Sequence, residues 1–144
     1  MAPTDAILSC NEAITSGVVT TPDMASTLVN RGVLLMRMDQ PQDAKRDFEQ
    51  ALVLAPMLPE ALVNRGGILL EEGKPQEALT DLDRGIALGP EHPERAYYTR
   101  AMAREDLKDL KGAYADYKAA EALRPGWEPV VTQLSRFQVQ ARAK

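Results

Sequence analysis

An all-α fold, a solenoid of stacked antiparallel helical hairpins, is predicted by three features of this 144-residue sequence. Asn30-Arg31-Gly32 recurs as Asn64-Arg65-Gly66, and Pro41-Gln42-Asp43-Ala44 recurs as Pro75-Gln76-Glu77-Ala78, both 34 residues later (64 − 30 and 75 − 41). Between these landmarks apolar and small residues return at spacings of three and four, the mark of amphipathic helices. Pro56, Pro90 and Pro125 punctuate the chain at a similar interval. A period of this length belongs to paired helices that stack, which turns the functional question from chemistry to binding.

The elements follow in order. Residues 3–16 read as a half-repeat helix, because Ala6, Cys10 and Ala13 reproduce the spacing of Ala44, Phe48 and Ala51. They form the second helix of a hairpin whose first helix is missing. A connection at 15–23, TSGVVTTPD, is longer than the others. Repeat one, 25–58, places Leu28, Gly32 and Leu35 on one side of its first helix, and Ala44, Phe48, Ala51 and Leu52 on one side of its second. Asp39-Gln40-Pro41 breaks one helix and opens the next, since a first-turn proline lacks only a donor that the helix does not need.

Repeat two, 59–92, repeats this plan with Leu62, Gly66 and Leu69, a turn at Gly73-Lys74-Pro75, and Ala78, Leu82 and Gly85. Repeat three, 94–127, offers Tyr97 and Ala101, then Ala113, Tyr117 and Ala120, its later part in a register one residue longer. Pro56, Pro90 and Pro125 close the second helices. Gly32, Gly66 and Gly85 inside helices imply close helix approach, because a helical glycine otherwise costs about 1 kcal/mol relative to alanine. Residues 127–142 read as a capping helix with Val130, Val131, Leu134 and Phe137 inside and Arg136, Gln138, Gln140 and Arg142 outside. The whole chain, 1–144, reads as one such unit.

Bulk properties narrow the function. Net charge is −4 and the bases are interleaved with acids, so no basic stripe is available for a phosphate backbone and nucleic acid is not an expected partner. No apolar run approaches the roughly 20 residues that span a bilayer, so no membrane insertion is expected. The first residues lack the charged and apolar regions of an export signal, which as written points to the cytoplasm. Removal of an export leader from the sequence would make the periplasm its home. A single cysteine, Cys10, excludes an internal disulfide.

The residues set out above resemble the tetratricopeptide repeat family, small bacterial type. That pattern has a large residue at position 4, Gly or Ala at 8, a large residue at 11, Ala at 20, an aromatic at 24, Ala at 27 and Pro at 32. Leu28, Gly32, Leu35, Ala44, Phe48, Ala51 and Pro56 answer it in repeat one. Leu62, Gly66, Leu69, Ala78, Leu82, Gly85 and Pro90 do so in repeat two. Tyr97, Ala101, Arg104, Ala113, Tyr117, Ala120 and Pro125 do so in repeat three, where Arg104 departs from the pattern and implies a looser hairpin. Arg31, Arg65 and Arg100 also depart from it, standing at position 7 where an apolar residue is usual.

The resemblance implies a right-handed superhelix whose first helices line a concave groove through positions 2, 5, 9, 12 and 13. Carried onto this chain, those positions also take in Ser26, Glu71, Glu105 and Asp106, and with the position-6 asparagines the candidate groove residues are Val29, Asn30, Val33, Met36 and Arg37 in repeat one. Glu60, Val63, Asn64, Gly67 and Leu70 follow in repeat two, and Arg95, Tyr98 and Met102 in repeat three. Spacing alone also puts Val29, Val33 and Met36 on a second apolar stripe, which needs a cover. Neighbouring repeats and the end helix supply one candidate cover, and a bound peptide or amphipathic helix the other.

Relatives that hold acidic chain ends use a clamp of basic and asparagine side chains. Asn64 and Arg95 fit that clamp, but Val29, Val33 and Thr99 stand where it needs polar groups, so it is not expected here. Asn30 and Asn64 either bond a bound backbone, as in superhelical relatives, or form a solvated face. For Arg31, Arg65 and Arg100 a ladder of ion pairs with acids of adjacent helices is favoured over a binding role.

Catalytic machinery is not expected. His92, the only histidine, lies between repeats two and three without a partner at metal-ligand spacing. Cys10 stands where the other second helices carry Phe48, Leu82 and Tyr117, which favours a packed thiol over a reactive one. Gly66-Gly67 lies within a helix and not at a phosphate-binding turn. The expectation is a non-enzymatic scaffold or adaptor with no cofactor and no metal, binding a protein or peptide in its groove as a monomer or weak homodimer. The alternative is a self-associating structural unit that pairs through its open N-terminal end.

Overall fold

The structure, a computed structural model, describes residues 2–17 and 20–142, with side chains as far as Gln138. Eight helices and no strand are found among them: α1 (Pro3–Thr15), α2 (Thr21–Arg37), α3 (Pro41–Leu54), α4 (Pro59–Glu71), α5 (Pro75–Ala87), α6 (Pro93–Asp106), α7 (Leu110–Leu123) and α8 (Glu128–Arg142). None is long and apolar enough to cross a membrane. Proline occupies the first turn of α1 to α6, where its fixed φ starts a helix without a capping side chain. α7 uses Asp109 instead, whose carboxylate accepts from the Gly112 amide at 2.9 Å.

Successive helices pack as antiparallel hairpins, α2 on α3, α4 on α5 and α6 on α7, and each hairpin stacks on the next. The first helices α2, α4 and α6 also touch in sequence, forming the inner layer of a helical-repeat solenoid. α2 begins at Thr21, so Thr21-Pro22-Asp23, read above as part of the connection, form its first turn. Val18 and Val19 of that connection lie outside the described residues, as do the side chains of Gln140 and Arg142 of the capping helix.

Apolar contact is shared among three clusters strung along the array. The first surrounds Phe48 and reaches from α1 to α4, the second surrounds Leu69 and Leu82, and the third surrounds Tyr117. Glycine makes the close approach real, since an added Cβ at Gly32 would lie 2.6 Å from the Phe48 ring. At Gly66 and Gly85 it would lie 2.9 Å from Leu82 and 2.7 Å from Val63. α1 has no fully buried residue, and it attaches through Ile7 and Ile14 with Ala6, Cys10 and Ala13 half-buried. Burial pushes the Cys10 thiol above its usual pKa, which disfavours the thiolate.

The hairpin turns share one backbone device. Asp39 (φ 57°), Gly73 (φ 76°) and Lys108 (φ 66°) each sit just past a first helix in the left-handed region. The next amide in each case reaches back to a carbonyl five residues earlier: Gln40 to Leu35 and Lys74 to Leu69 at 2.9 Å, and Asp109 to Arg104 at 2.8 Å. Only Gly73 suits that conformation without a Cβ penalty. Lys108→Gly is therefore expected to stabilise the protein by about 1 kcal/mol, read as a higher urea midpoint.

The arginines at position 7 form the expected ladder. Arg31 grips Asp47 with a two-pronged fork (2.7 and 2.6 Å), Arg65 grips Asp81 (2.7 and 2.8 Å) and Arg100 grips Asp116 (2.9 and 2.8 Å). All three carboxylates are buried, and each hydrogen-bonded fork raises its guanidinium above the ordinary arginine range. Arg31 also donates to Asn11 of α1, and Arg100 to Asp83 of α5, both at 3.0 Å. The ladder thus ties hairpins together as well as closing them.

Arg104 does not loosen the third hairpin. Its guanidinium reaches Asp116 at 2.9 Å beside Arg100, while Ala101, Ala113, Tyr117 and Ala120 are fully buried. At the end of the array Glu105 accepts from the Tyr117 hydroxyl and from Arg136 of α8, each at 2.6 Å. Burial, then the hydrogen bond to Glu105, drives the Tyr117 phenol well above its usual pKa. Val130 and Leu134 are buried on α8 and Phe137 stacks on Tyr114 and Tyr117.

A surface staple joins the first two repeats. Lys45 donates to both oxygens of Glu72 (2.9 and 2.8 Å), with Gln42 and Lys74 beside it, and these bonds hold the Glu72 carboxyl below the usual carboxylate range. A depressed carboxyl stabilises the fold fully at neutral pH and loses that contribution as pH falls through its lowered value. Glu72→Gln is expected to lower stability at pH 7 and to flatten its decline below about pH 4. Urea titrations at several pH values read both effects.

Candidate binding groove

The inner layer of first helices encloses a concavity of about 450 Å³. Positions 5, 6 and 9 of α2 and α4 supply much of its lining. Val29 and Asn30 of α2 face Val63 and Asn64 of α4, and Thr99 continues the position-6 row on α6. Ten of the thirteen expected groove residues meet here: Val29, Asn30, Val33, Met36, Arg37, Glu60, Val63, Asn64, Gly67 and Arg95. Val29 is 7% exposed and forms floor more than wall.

The remaining three are half-buried against the apolar clusters. Tyr98 stacks on Tyr117 (5.8 Å between ring centres) and Trp127 (5.3 Å), and Met102 packs into the same cluster. Leu70 packs on the cluster of Leu69 and Leu82. For Tyr98 and Met102 the cover is Tyr117 of their own hairpin with Trp127 beyond it. Val63 is shared, since it lines the concavity and also packs at Gly85.

Glu71, Pro90, Glu91, His92 and Thr99 line the concavity too. Pro90 to His92 come from the loop before α6, which helix periodicity does not place. Glu60 holds that loop, its carboxylate accepting from the Glu91 amide at 3.0 Å. Asn64 donates to the Glu60 carbonyl at 2.7 Å and Thr99 to the Arg95 carbonyl at 2.9 Å. Both side chains keep an oxygen with acceptor capacity.

Arg37, Glu71, Glu91 and Arg95 make no ion pair within 4 Å among the described residues, so the rim carries unpaired charges of both signs. His92 Nδ1 lies 3.6 Å from a Glu94 carboxylate oxygen. Among the described residues no group of three or more His, Cys, Asp or Glu is placed to hold a metal ion.

Two family models, each described as tetratricopeptide repeat, match residues 29–93 and 94–126. The chain belongs to the tetratricopeptide repeat (TPR) family. No curated protein matches its sequence. Among solved structures, the first TPR domain of human RPAP3 is 25% identical, covering 85% of this TPR chain and 94% of its own, with a TM-score of 0.73. MamA from Desulfovibrio magneticus RS-1, residues 41 to the end, is 24% identical over 97% of this chain and 76% of its own, with a TM-score of 0.77. The first TPR of Spaghetti (RPAP3), bound to the HSP90 peptide SRMEEVD, is 24% identical over 83% and 96%, with a TM-score of 0.73.

Proposed function

We propose that this TPR protein is a non-enzymatic scaffold or adaptor whose concave groove holds a peptide or an amphipathic helix of another protein. The single observation that carries the reading is the concavity itself, which collects half-buried apolar side chains, side-chain acceptors and unpaired charges from three successive repeats. Such a mixture suits a polypeptide better than a small molecule, since an extended or helical segment offers apolar anchors and backbone amides together. The peptide-bound Spaghetti domain supports the mode of use, but its acidic peptide does not transfer. Val29, Val33 and Thr99 occupy places where a clamp for acidic ends needs polar and basic groups.

Peptides selected from a displayed random library on the full chain provide the test. Amide resonances of Asn30, Val33, Gly67 and Arg95 are expected to shift on titration while those of the outer helices α3 and α5 stay in place. Shifts confined to the outer helices would overturn the groove.

A second reading rests on α1. The stripe Ala6, Cys10 and Ala13 is half-buried, whereas its counterparts in α3, α5 and α7 are buried. A second copy covering that end predicts a dimer in sedimentation that dissociates when residues 1–16 are deleted. A monomer at all concentrations removes this reading.

A further inference from the structure

We infer that Gly67 keeps open a notch in the groove floor for one bulky apolar side chain of the bound segment, flanked there by residues of both charge signs; this rests on the groove reading above. Gly67 lies inside α4, where glycine weakens a helix. Its backbone does not call for glycine, because its φ is not positive. Packing does not call for it either, since an added Cβ would meet nothing within 4 Å. By contrast, Gly32, Gly66 and Gly85 each face a side chain closer than 3 Å to that point. Among the described helix-interior glycines Gly67 is thus the one whose absent side chain serves no contact within the chain. A local rule broken without internal compensation points to function.

The space left by Gly67 opens into the concavity, beside half-buried Val33, Met36 and Val63. Repeat one fills the corresponding position with Val33, and repeat three with Met102, so the notch is confined to the middle repeat. Flexible Met36 adapts the wall to anchors of different shape. Asn64 lies three residues before Gly67 on α4, and its amide nitrogen is already engaged with the Glu60 carbonyl. Its oxygen is left to accept a backbone amide from the segment that carries the anchor.

Beyond the notch, Arg37 and Glu71 stand at the carboxyl ends of α2 and α4, and Glu91 and Arg95 flank the start of α6. With no partner ion among the described residues, they match a segment bearing a base and an acid on either side of its anchor. A uniformly acidic end would meet Glu71 and Glu91 as like charges.

Fluorescence anisotropy with library-selected peptides on the full chain tests the notch. The peptides are expected to share one Leu, Met, Phe or Trp whose replacement by alanine abolishes binding. Gly67→Ala, Gly67→Leu and Gly67→Trp should weaken capture progressively, with Gly67→Leu costing about tenfold or more in Kd. Melting temperature should hold or rise, since each replacement is a better helix former. The anchor and Gly67→Leu changes should be non-additive. If Gly67→Leu binds as well as the parent while Glu71→Lys or Arg95→Glu alters affinity, the groove stands and the notch is overturned. If none of the three alters affinity, both are overturned. A lower melting temperature for Gly67→Ala would assign the glycine to the fold and overturn the notch as well.

Discussion

Phe48→Ala is expected to destabilise the protein by about 3–5 kcal/mol, the range for emptying a buried aromatic site. The ring is fully buried and rests on Gly32, where no Cβ exists to collapse into the cavity. It also anchors the cluster that joins α1, α2, α3 and α4, so its loss should loosen the first two repeats together. Phe48→Leu imitates Leu82 of repeat two and should cost less than half as much. Urea unfolding followed by circular dichroism reads both changes. A loss below about 1 kcal/mol for Phe48→Ala would mean that the backbone closes over the gap.

Asp116→Ala comes next, at about 2–4 kcal/mol, because it takes the buried carboxylate from two half-buried guanidiniums where Asp81→Ala takes it from one. Breaking one side of a desolvated pair costs more than the pair contributes, since the remaining charge keeps its desolvation penalty. Replacing Arg100, Arg104 and Asp116 together by Met, Met and Leu should therefore recover most of the loss. Failure of that triple variant to recover would show that the carboxylate works through hydrogen-bond geometry and not through charge balance.

Much of this arrangement was legible because the solenoid writes each contact several times. Arg31, Arg65 and Arg100 announced a ladder, and their acids recur in step: Asp47, Asp81 and Asp116 each follow their arginine by 16 residues. Periodicity marks every copy of a position alike, however, and the copies meet different neighbours. Val33 and Met102 share a position; one lines the concavity, and the other packs into the cluster of Tyr117 and Trp127. Arg104 misled for a related reason. It looked like a flaw in an apolar stripe, and its partner Asp116 lies on the facing helix.

The loop from Pro90 to His92 was illegible to helix spacing, which says nothing of a segment between helices, yet it lines the groove. Glu60, which its position predicts to face a ligand, holds that loop in place. Position in the repeat separates Gly66, aligned with Gly32 and Ala101, from Gly67 among the candidate groove residues, but it does not say which of the two is packed against a side chain. That distinction needed the distance to the facing helix.

The two ends of the ribbon are held unequally. α8 is locked by Val130, Leu134 and the Tyr117–Glu105–Arg136 relay, while α1 lies on its neighbour without one wholly sheltered side chain. Deuterium should therefore enter the molecule from its amino end inward, and a fusion or added hairpin should be tolerated there long before the other terminus accepts one.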